Sequence, residues 1–294
     1  MNHAYAVRQL QKSYPDFCLG PLDLDLPPGL VQGLVGPNGS GKTTLLLCMM
    51  GMATVDRGEV LFSGQPAHRN TADWKRDLGF VPDEPAFFEG WSGARNLKFI
   101  SQFYPDWSPD RAAELARRFQ LPLNKKAWSL SRGNRTKLAL VAAMAHRPRL
   151  YLFDEPTAGL DPVVRSEVME ALWEEMEGGE RSIIYSTHLI TDLQRFADEL
   201  VFLRDGRVQL RTDKESLADR WGRLTFQAAQ EPAGLTAAVE IRRQNGGYQV
   251  ISADAQATLK DLAGRGIQAV QHSRLSMEDI AVSIMKGGTG VAAD

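Results

Sequence analysis

The chain has 294 residues, of which 43% are hydrophobic, so it can hold one large domain and one small one with real cores. Its formal net charge of −2 gives no basic field that would draw it to nucleic acid, and its cysteines, Cys18 and Cys48, form no C-x-x-C pair that would indicate a structural zinc site. We find neither an apolar run approaching the ~20 residues that cross a bilayer nor a signal peptide, which predicts a cytoplasmic protein that reaches any membrane through a partner.

Apolar or alternating segments predict strands over residues 4–10, 22–26 and 30–35. The strict alternation of the second segment indicates a strand covered on one face only, so we expect an antiparallel β layer near the start of the chain. Tyr14 lies between the first two strands in a Ser-Tyr-Pro segment. It either stacks on an adenine ring or packs in a turn, and its spacing favours neither.

Residues 36–44 read Gly-Pro-Asn-Gly-Ser-Gly-Lys-Thr-Thr and fit the phosphate-binding loop pattern in full. They follow a predicted strand and precede an apolar segment that predicts a helix ending at Gly51. This arrangement aims backbone N–H groups and the positive end of a helix dipole at one point, which suits a polyphosphate. Lys42 is placed to reach the β- and γ-phosphates, and the Thr43 hydroxyl to ligate Mg²⁺. The predicted nucleotide-binding residues of the loop are Gly36, Asn38, Gly39, Ser40, Gly41, Lys42, Thr43 and Thr44.

Further strands are predicted over residues 58–64 and 78–85, and the pattern from 86 to about 146 is helical, which indicates an inserted helical subdomain. Aromatic side chains are concentrated near the start of this subdomain, at Phe87, Phe88, Trp91, Phe99, Phe103, Tyr104 and Trp107. Aromatics at this density usually form a core. We also keep Phe87, Phe88 and Trp91 as candidates for a groove that binds a partner.

Two carboxylates and a histidine follow predicted core strands. Asp154 and Glu155 end an apolar strand, and His188 follows a later one. Asp154 can hold Mg²⁺ beside Thr43, and Glu155 is placed to polarise a water for attack on a γ-phosphate. Adjacent acids are often only a solvated strand end, but the complete phosphate-binding loop favours the functional interpretation. A lone histidine is usually structural, although at a strand end it can donate to a γ-phosphate.

Two predicted helix starts carry further candidates. Ser131 and Gly133 open a helix, where they can present a hydroxyl and backbone N–H groups to an anion. Asp161 precedes Pro162 and is predicted to cap the next helix. Each of these signals is weak when it stands alone.

Together the motifs resemble those of ATP-binding subunits of the ABC transporter family, over roughly residues 1–215. The resemblance is carried by the phosphate-binding loop, Leu-Ser-Arg-Gly-Asn at 130–134, the strand that ends in Asp154 and Glu155, Gly-Leu-Asp-Pro at 159–162, and Thr-His at 187–188. It implies an α/β fold with a P-loop NTPase parallel sheet core, an antiparallel β subdomain and an inserted helical subdomain at about 86–146. It also implies that the chain binds ATP and Mg²⁺ and hydrolyses ATP.

The resemblance further implies partners and roles. Two ATP-binding subunits, in a homodimer or a heterodimer, would bind head to tail, so that Ser131 and Gly133 of one subunit reach the ATP held by the other. Tyr14 would stack on the adenine, Glu155 would be the catalytic base and His188 the γ-phosphate switch, with Asp161 also at the nucleotide. A separate transmembrane permease would hold the subunit at the inner face of the cell membrane.

The chain departs from the family pattern at two places. Asp83 stands where a glutamine is usual; its carboxylate can still ligate Mg²⁺ but has lost the amide donor, so Asp83 remains a metal and nucleotide-binding candidate. Arg132 stands where a glycine is usual, and Asn134 where a glutamine is common. Ser131 and Gly133 are present, so we expect a working site.

Residues 216–294 predict a small C-terminal α/β accessory domain. A capping box at 212–215 opens a short helix, a turn is expected at 245–246, and the last strand is expected at 267–270. Ser276 is predicted to cap a final helix that turns Met277, Ile280, Ala281 and Ile284 inward. The Leu-Ser-Met-Glu-Asp-Ile segment at 275–280 resembles the tail of exporter-type bacterial ATP-binding subunits, which favours export over import.

Two other function classes would use a similar site. A soluble ABC-type ATPase acting on a ribosome or on DNA usually carries two cassettes, a long coiled coil or zinc modules, whereas this chain shows one cassette, no heptads and no cysteine pairs. A small-molecule kinase would not need the segments at 130–134 and 159–162. We therefore favour the transporter subunit, with the soluble ATPase as the alternative.

Overall fold

A computed structural model of the chain describes residues 4–67, 73–244 and 246–286. The first elements are β1 (Tyr5–Tyr14), β2 (Phe17–Leu26), β3 (Val31–Val35), α1 (Lys42–Met49), β4 (Arg57–Phe62) and β5 (Gln65–Pro66). Within the described residues, β2, β1, β4 and β5 form an antiparallel sheet in that order, which confirms the predicted β layer. Strand β1 runs beyond the predicted end at residue 10 because it pairs with β2 as far as Tyr14 opposite Phe17.

The next part of the chain is helical, as predicted. Its elements are β6 (Leu78–Val81), α2 (Gly93–Ile100), α3 (Pro109–Arg118) and α4 (Arg132–Met144). Strand β6 is shorter than the predicted 78–85 and ends before Pro82, which lacks the N–H that a ladder needs. Ser92, Ser108 and Ser131 cap the helices, each accepting a hydrogen bond from the backbone N–H three residues on.

The central sheet is completed by β7 (Leu150–Asp154), α5 (Pro162–Met176), β8 (Ser182–Thr187), α6 (Ile190–Phe196), β9 (Glu199–Arg204) and β10 (Arg207–Asp213). In the described part of the chain the strand order is β10-β9-β3-β8-β7-β6, parallel throughout except for the edge strand β10. Every residue of β3, β7 and β8 is buried, as expected for parallel strands covered on both faces. The carboxyl ends of these strands therefore meet at one edge of the sheet.

The last described elements are α7 (Lys214–Arg220), β11 (Gly222–Phe226), β12 (Ala238–Gln244), β13 (Gly247–Ser252), α8 (Ala255–Gly264), β14 (Val270–Arg274) and α9 (Met277–Met285). Asp213 caps α7 by accepting from Ser216 N, so the predicted Thr212–Glu215 capping box is wrong by one position. The predicted position of the last strand is also wrong, because β14 pairs with β11 over 270–274 and the prediction was 267–270. The predicted turn at 245–246 includes Asn245, which lies outside the described residues.

Helix α9 packs against α6 and β9 of the central sheet. Its buried residues Ile280, Ala281 and Ile284 belong to the hydrophobic cluster that also contains Leu193 of α6 and Leu200 of β9. The inward face predicted for this helix is thus confirmed. A division of the chain at residue 215 stays a prediction, and side chains on both sides of it share one core. Among the described helices, none is long and apolar enough to span a bilayer.

Candidate functional site

The loop between β3 and α1 leaves no room for side chains at two of its glycines. A Cβ on Gly36 would lie 2.3 Å from the Leu203 carbonyl oxygen, and one on Gly41 would lie 2.8 Å from Phe17 Cζ. Gly41 also has a φ of 107°, in the left-handed region that other residues rarely adopt. The loop is therefore a tight backbone cradle that leads directly into the N-terminus of α1.

The ammonium of Lys42 lies inside this cradle. Its Nζ donates to the carbonyl oxygens of Gly36 at 2.8 Å and Pro37 at 3.3 Å, and it lies 3.5 Å from Glu155 Oε1. The residue is only 5% exposed. A buried ammonium that is held by carbonyl oxygens and a carboxylate is a fixed positive charge, which suits the charge of a triphosphate.

Asp154 joins the loop to the end of β7. Its Oδ2 accepts from Thr43 Oγ1 at 2.6 Å, and its Oδ1 accepts from Ser186 Oγ at 2.5 Å. The register brings Asp154 opposite Ser186 of β8. Carboxylate and hydroxyl oxygens are ligands that Mg²⁺ prefers, usually together with phosphate oxygens, so Asp154 and Thr43 fit the metal of a nucleotide site. Ser186 was missed in the sequence, although its place just before Thr187 and His188 marks it as a strand end at the same edge.

Glu155 and His188 are in contact with each other. His188 Nδ1 lies 2.9 Å from Glu155 Oε2, while the Glu155 backbone N–H donates to Ser186 O at 3.0 Å. Glu155 has a φ of 49°, so the chain turns sharply where the strand ends. This brings together the two residues that the sequence predicts as catalytic.

Two buried oxygen atoms beside the cradle are without hydrogen bonds. Within the part of the chain that the structure describes, Ser40 Oγ and Glu155 Oε1 have no hydrogen-bond partner, although the latter faces Lys42 as an ion pair. Buried polar atoms without partners are rare, because each costs free energy unless a ligand or water satisfies it. Their position at the loop fits a polar ligand bound there.

Tyr14 lies at the turn between β1 and β2, and 45% of it is exposed. It pairs with Phe17, whose ring lies against Gly41 of the phosphate-binding loop. Lys12 Nζ lies 5.2 Å from the centroid of the Tyr14 ring. The Tyr14 ring is thus exposed, and its stacking on a base stays a prediction.

Ser131, Gly133 and Asp161 lie in a second group at the starts of α4 and α5. Ser131 caps α4, and Asp161 Oδ1 accepts from the backbone N–H groups of Val163 and Val164 at 3.1 Å. A Cβ on Gly133 would lie 3.1 Å from Leu160 Cδ2, so the two helix starts are in contact. The structure thus places these residues together with each other, while Lys42, Thr43, Asp154, Glu155 and His188 form the group at the strand ends.

The two departures from the family pattern contact each other. Arg132 donates from its guanidinium to Asp83 Oδ1 at 2.6 Å. The stem of Arg132 also lies 3.5 Å from the position of a Cβ on Gly159. A carboxylate beside the first turn of α4 is favourable for the helix dipole, and it offsets the unfavourable guanidinium there. Asp83 lies two residues beyond the end of β6, and there it forms an ion pair with Arg132.

An aromatic patch lies on the surface of α2 and the loop before it. The rings of Phe88 and Trp91 stack with centroids 4.3 Å apart, and Phe99 and Phe103 continue the patch edge to face. Arg95 lies over the Trp91 ring at 4.2 Å. Phe88, one of the groove candidates, is 50% exposed. Phe103 is 60% exposed, so it is an exception to the core that is expected for most aromatics of this region.

Comparison with known proteins agrees with this geometry. A family model described as "ABC transporter" matches residues 19–158. The ABC transporter ATP-binding protein YtrB of Bacillus subtilis is 31% identical over 216 residues, which are 73% of this chain and 74% of YtrB. The Fe(3+) ions import ATP-binding protein FbpC of Yersinia pestis is 34% identical over 69% of this chain and 60% of FbpC. A solved ATP-binding subunit of an ABC transporter superposes with a TM-score of 0.66 at 25% identity, over 73% of this chain and 91% of that one.

Proposed function

Because this chain belongs to the ABC transporter family of ATP-binding proteins, we propose that it hydrolyses ATP to drive export through a separate transmembrane permease. The proposal is carried by one observation. Lys42, Thr43, Asp154, Glu155 and His188 lie in contact at one edge of the parallel sheet, where they can bind and cleave a triphosphate. The subunit would work at the cytoplasmic face of the membrane, where its permease holds it.

Each residue of this group has a role that follows from its chemistry. The Lys42 ammonium binds the β- and γ-phosphates, and the backbone N–H groups of residues 36–44 bind the remaining phosphate oxygens. Asp154 and Thr43 would hold Mg²⁺, which supplies charge neutralisation at the phosphates. Glu155 accepts a proton from the attacking water, and His188, oriented by Glu155, donates to the γ-phosphate. Tyr14 stacks on the adenine.

The working form is a dimer of ATP-binding subunits, either two copies of this chain or this chain with a relative. Ser131, Gly133 and Asp161 form their own group at two helix starts that are in contact. A helix N-terminus can bind a phosphate oxygen through its free N–H groups. In a head-to-tail dimer this group would complete the site of the second subunit.

The aromatic patch, defined by Phe88, Trp91, Phe99 and Phe103, is our candidate for the permease contact. Two of its rings, Phe88 and Phe103, are exposed, and aromatic side chains with an arginine beside them are typical of the centres of protein interfaces. The patch is also linked to the site, since the chain runs from Asp83 to Phe88 in five residues. A permease bound there could sense the state of the nucleotide through this short loop.

We propose export as the direction of transport, on the basis of the C-terminal end of the described chain. Export is supported by the segment at 275–280, which resembles the tail of exporter-type subunits and forms the start of α9. FbpC, by its name, serves import. Inverted membrane vesicles that contain the chain and its permease test the direction: export predicts ATP-dependent accumulation of the substrate inside such vesicles, and ATP-dependent loss from preloaded vesicles would indicate import.

The variant Glu155→Gln tests the catalytic assignment. The amide keeps the shape of the side chain but cannot accept the proton of the water, so we expect normal ATP binding, turnover reduced by at least about a hundredfold, and an ATP-dependent dimer on size exclusion. Glu174→Gln is the control, because Glu174 is a half-exposed residue of α5 paired with Arg118. An unchanged ATPase rate in Glu155→Gln would rule out Glu155 as the base.

The variant Trp91→Ala tests the permease contact. It removes the ring at the centre of the aromatic patch, so we expect loss of co-purification with the permease while the basal ATPase rate stays within twofold. Trp173→Ala is the control, since Trp173 lies outside the patch, on α5, and is 54% exposed. Equal permease binding by both variants would show that the patch is not the contact.

A further inference from the structure

A buried carboxylate outside the predicted site joins the segments that carry Glu155 and His188. Asp192 lies on α6, four residues after His188, and it is 6% exposed. Its Oδ2 accepts from Thr157 Oγ1 at 2.6 Å, and Thr157 lies two residues after Glu155. One hydrogen bond thus connects the segment that follows β7 to the helix that follows β8.

Further contacts complete the network around Asp192. The hydroxyl of Tyr185, on β8, lies 2.9 Å from Thr157 Oγ1 and donates to Asp192 Oδ2 at 3.3 Å. Burial raises the pKa of Tyr185, and the neighbouring Asp192 raises it further, so the hydroxyl keeps its proton and acts as a donor. Arg165 of α5 pairs with Asp192 Oδ1 and also donates to Thr191 Oγ1 at 3.1 Å.

We infer that Asp192 is a positioning residue for ATP hydrolysis, which holds Glu155 and His188 in contact and ties α5 to them. A buried carboxylate is costly unless it is fully paired, and this one takes its partners from β8, α5 and the segment after β7. Arg165 lies one turn after the α5 cap and donates its backbone N–H to Asp161 O at 2.9 Å. The network therefore connects the predicted catalytic pair with the helix start that is predicted to face the second subunit.

The inference rests on the proposed roles of Glu155 and His188, and it predicts an effect on turnover rather than on ATP binding. A small displacement of a catalytic base lowers the rate strongly, because the base must be aligned with the attacking water. Lys42 and the phosphate-binding loop have no part in the Asp192 network, so the nucleotide remains bound by the same groups. A purely structural role would instead lower stability and leave kcat of the folded protein unchanged.

The first test compares Thr157→Val with Thr157→Ser. The valine removes the hydroxyl that joins Thr157 to Asp192, and we expect kcat to fall about tenfold or more with KM for ATP within twofold. The serine keeps the hydroxyl, so it is expected to restore kcat to within about threefold of the wild type. A kcat of Thr157→Val within twofold of the wild type overturns the inference.

The second test uses a matched pair of tyrosines, and it remains informative if Thr157→Val does not fold. Tyr185 and Tyr151 are fully buried on the neighbouring strands β8 and β7, and each donates to a buried carboxylate, Asp192 or Glu175. We expect Tyr185→Phe to lower kcat at least threefold and Tyr151→Phe to leave it within 1.5-fold, with Tm measured for both. Equal changes in kcat, or changes that follow Tm alone, overturn the inference. If the proposed function itself is wrong, Glu155→Gln will retain turnover. This result distinguishes a failure of the proposed function from a failure of the inference about Asp192.

Discussion

The ion pair between Asp83 and Arg132 predicts that removing one of its two charges changes the basal ATPase rate, upward or downward according to which charge is removed. Asp83→Asn leaves the Arg132 guanidinium unpaired beside Ser131 and Gly133, which adds positive potential at the helix start that is proposed to face a γ-phosphate. Arg132→Gln leaves the Asp83 carboxylate unpaired near the strand ends that carry Asp154 and Glu155, where it repels the nucleotide. We therefore expect the first variant to be faster than the wild type and the second to be slower.

The size of these effects is limited by the exposure of the pair. The Arg132 and Asp83 side chains are 54% and 44% exposed. Exposed ion pairs contribute about 0.2–1 kcal/mol, so each rate should change by at most about fivefold. The double variant removes both charges, and its rate should return to within about 1.5-fold of the wild type. High salt should shrink all of these differences, because it screens exposed charges.

The assay is the basal ATPase rate without permease, at several Mg²⁺ concentrations and at low and high salt. Asp83→Gln should behave as Asp83→Asn does. Glu89→Gln is the control, because Glu89 pairs with Arg135 of the same helix α4 at 2.7 and 2.8 Å and is exposed to a similar degree. A lower rate for both Asp83 variants at saturating Mg²⁺ would refute the charge argument and leave Asp83 as a metal ligand.

Two further predictions concern the binding of ATP itself. Lys42→Ala removes the buried ammonium, and we expect the equilibrium affinity for ATP to fall at least tenfold by calorimetry; normal binding by this variant would contradict the role of Lys42. Tyr14→Ala should weaken ATP binding about fivefold or more, since stacking of a base on an aromatic ring contributes about 1–3 kcal/mol, whereas Tyr14→Phe should bind within twofold of the wild type. Equal affinities for the alanine and phenylalanine variants would exclude stacking at Tyr14.

The group at the strand ends could be predicted because its geometry is largely local. A short loop between a buried strand and a helix leaves few backbone conformations, so its sequence specifies where Lys42 and Thr43 lie. Asp154 and His188 follow apolar strands of a parallel sheet, and such strands end at a common edge. The strand order alone is enough to predict that Asp154 and His188 lie close together, and the resemblance to a family implied that order.

The contacts between distant segments could not be predicted in the same way. Asp83 and Arg132 are 49 residues apart, and their contact depends on how α4 packs beside β6. The link from Thr157 to Asp192 spans 35 residues and gives no periodic signal. The position of strand β14 was predicted wrongly because only its first residue, Val270, is partly buried and the other four are exposed. Its sequence therefore lacks the alternation of apolar and polar residues that indicates a strand.

The packing of α9 on α6 and β9 has a consequence for synthesis on the ribosome. The hydrophobic cluster that contains Leu193 and Leu200 also contains Ile280 and Ile284, which are translated about eighty residues later. Domains of a growing chain usually fold in the order in which they leave the ribosome. Here the helix that bears Asp192 cannot complete its packing until residues 277–285 have emerged. The residues before 215 and those after 215 should therefore become protease-resistant together, in a single late step.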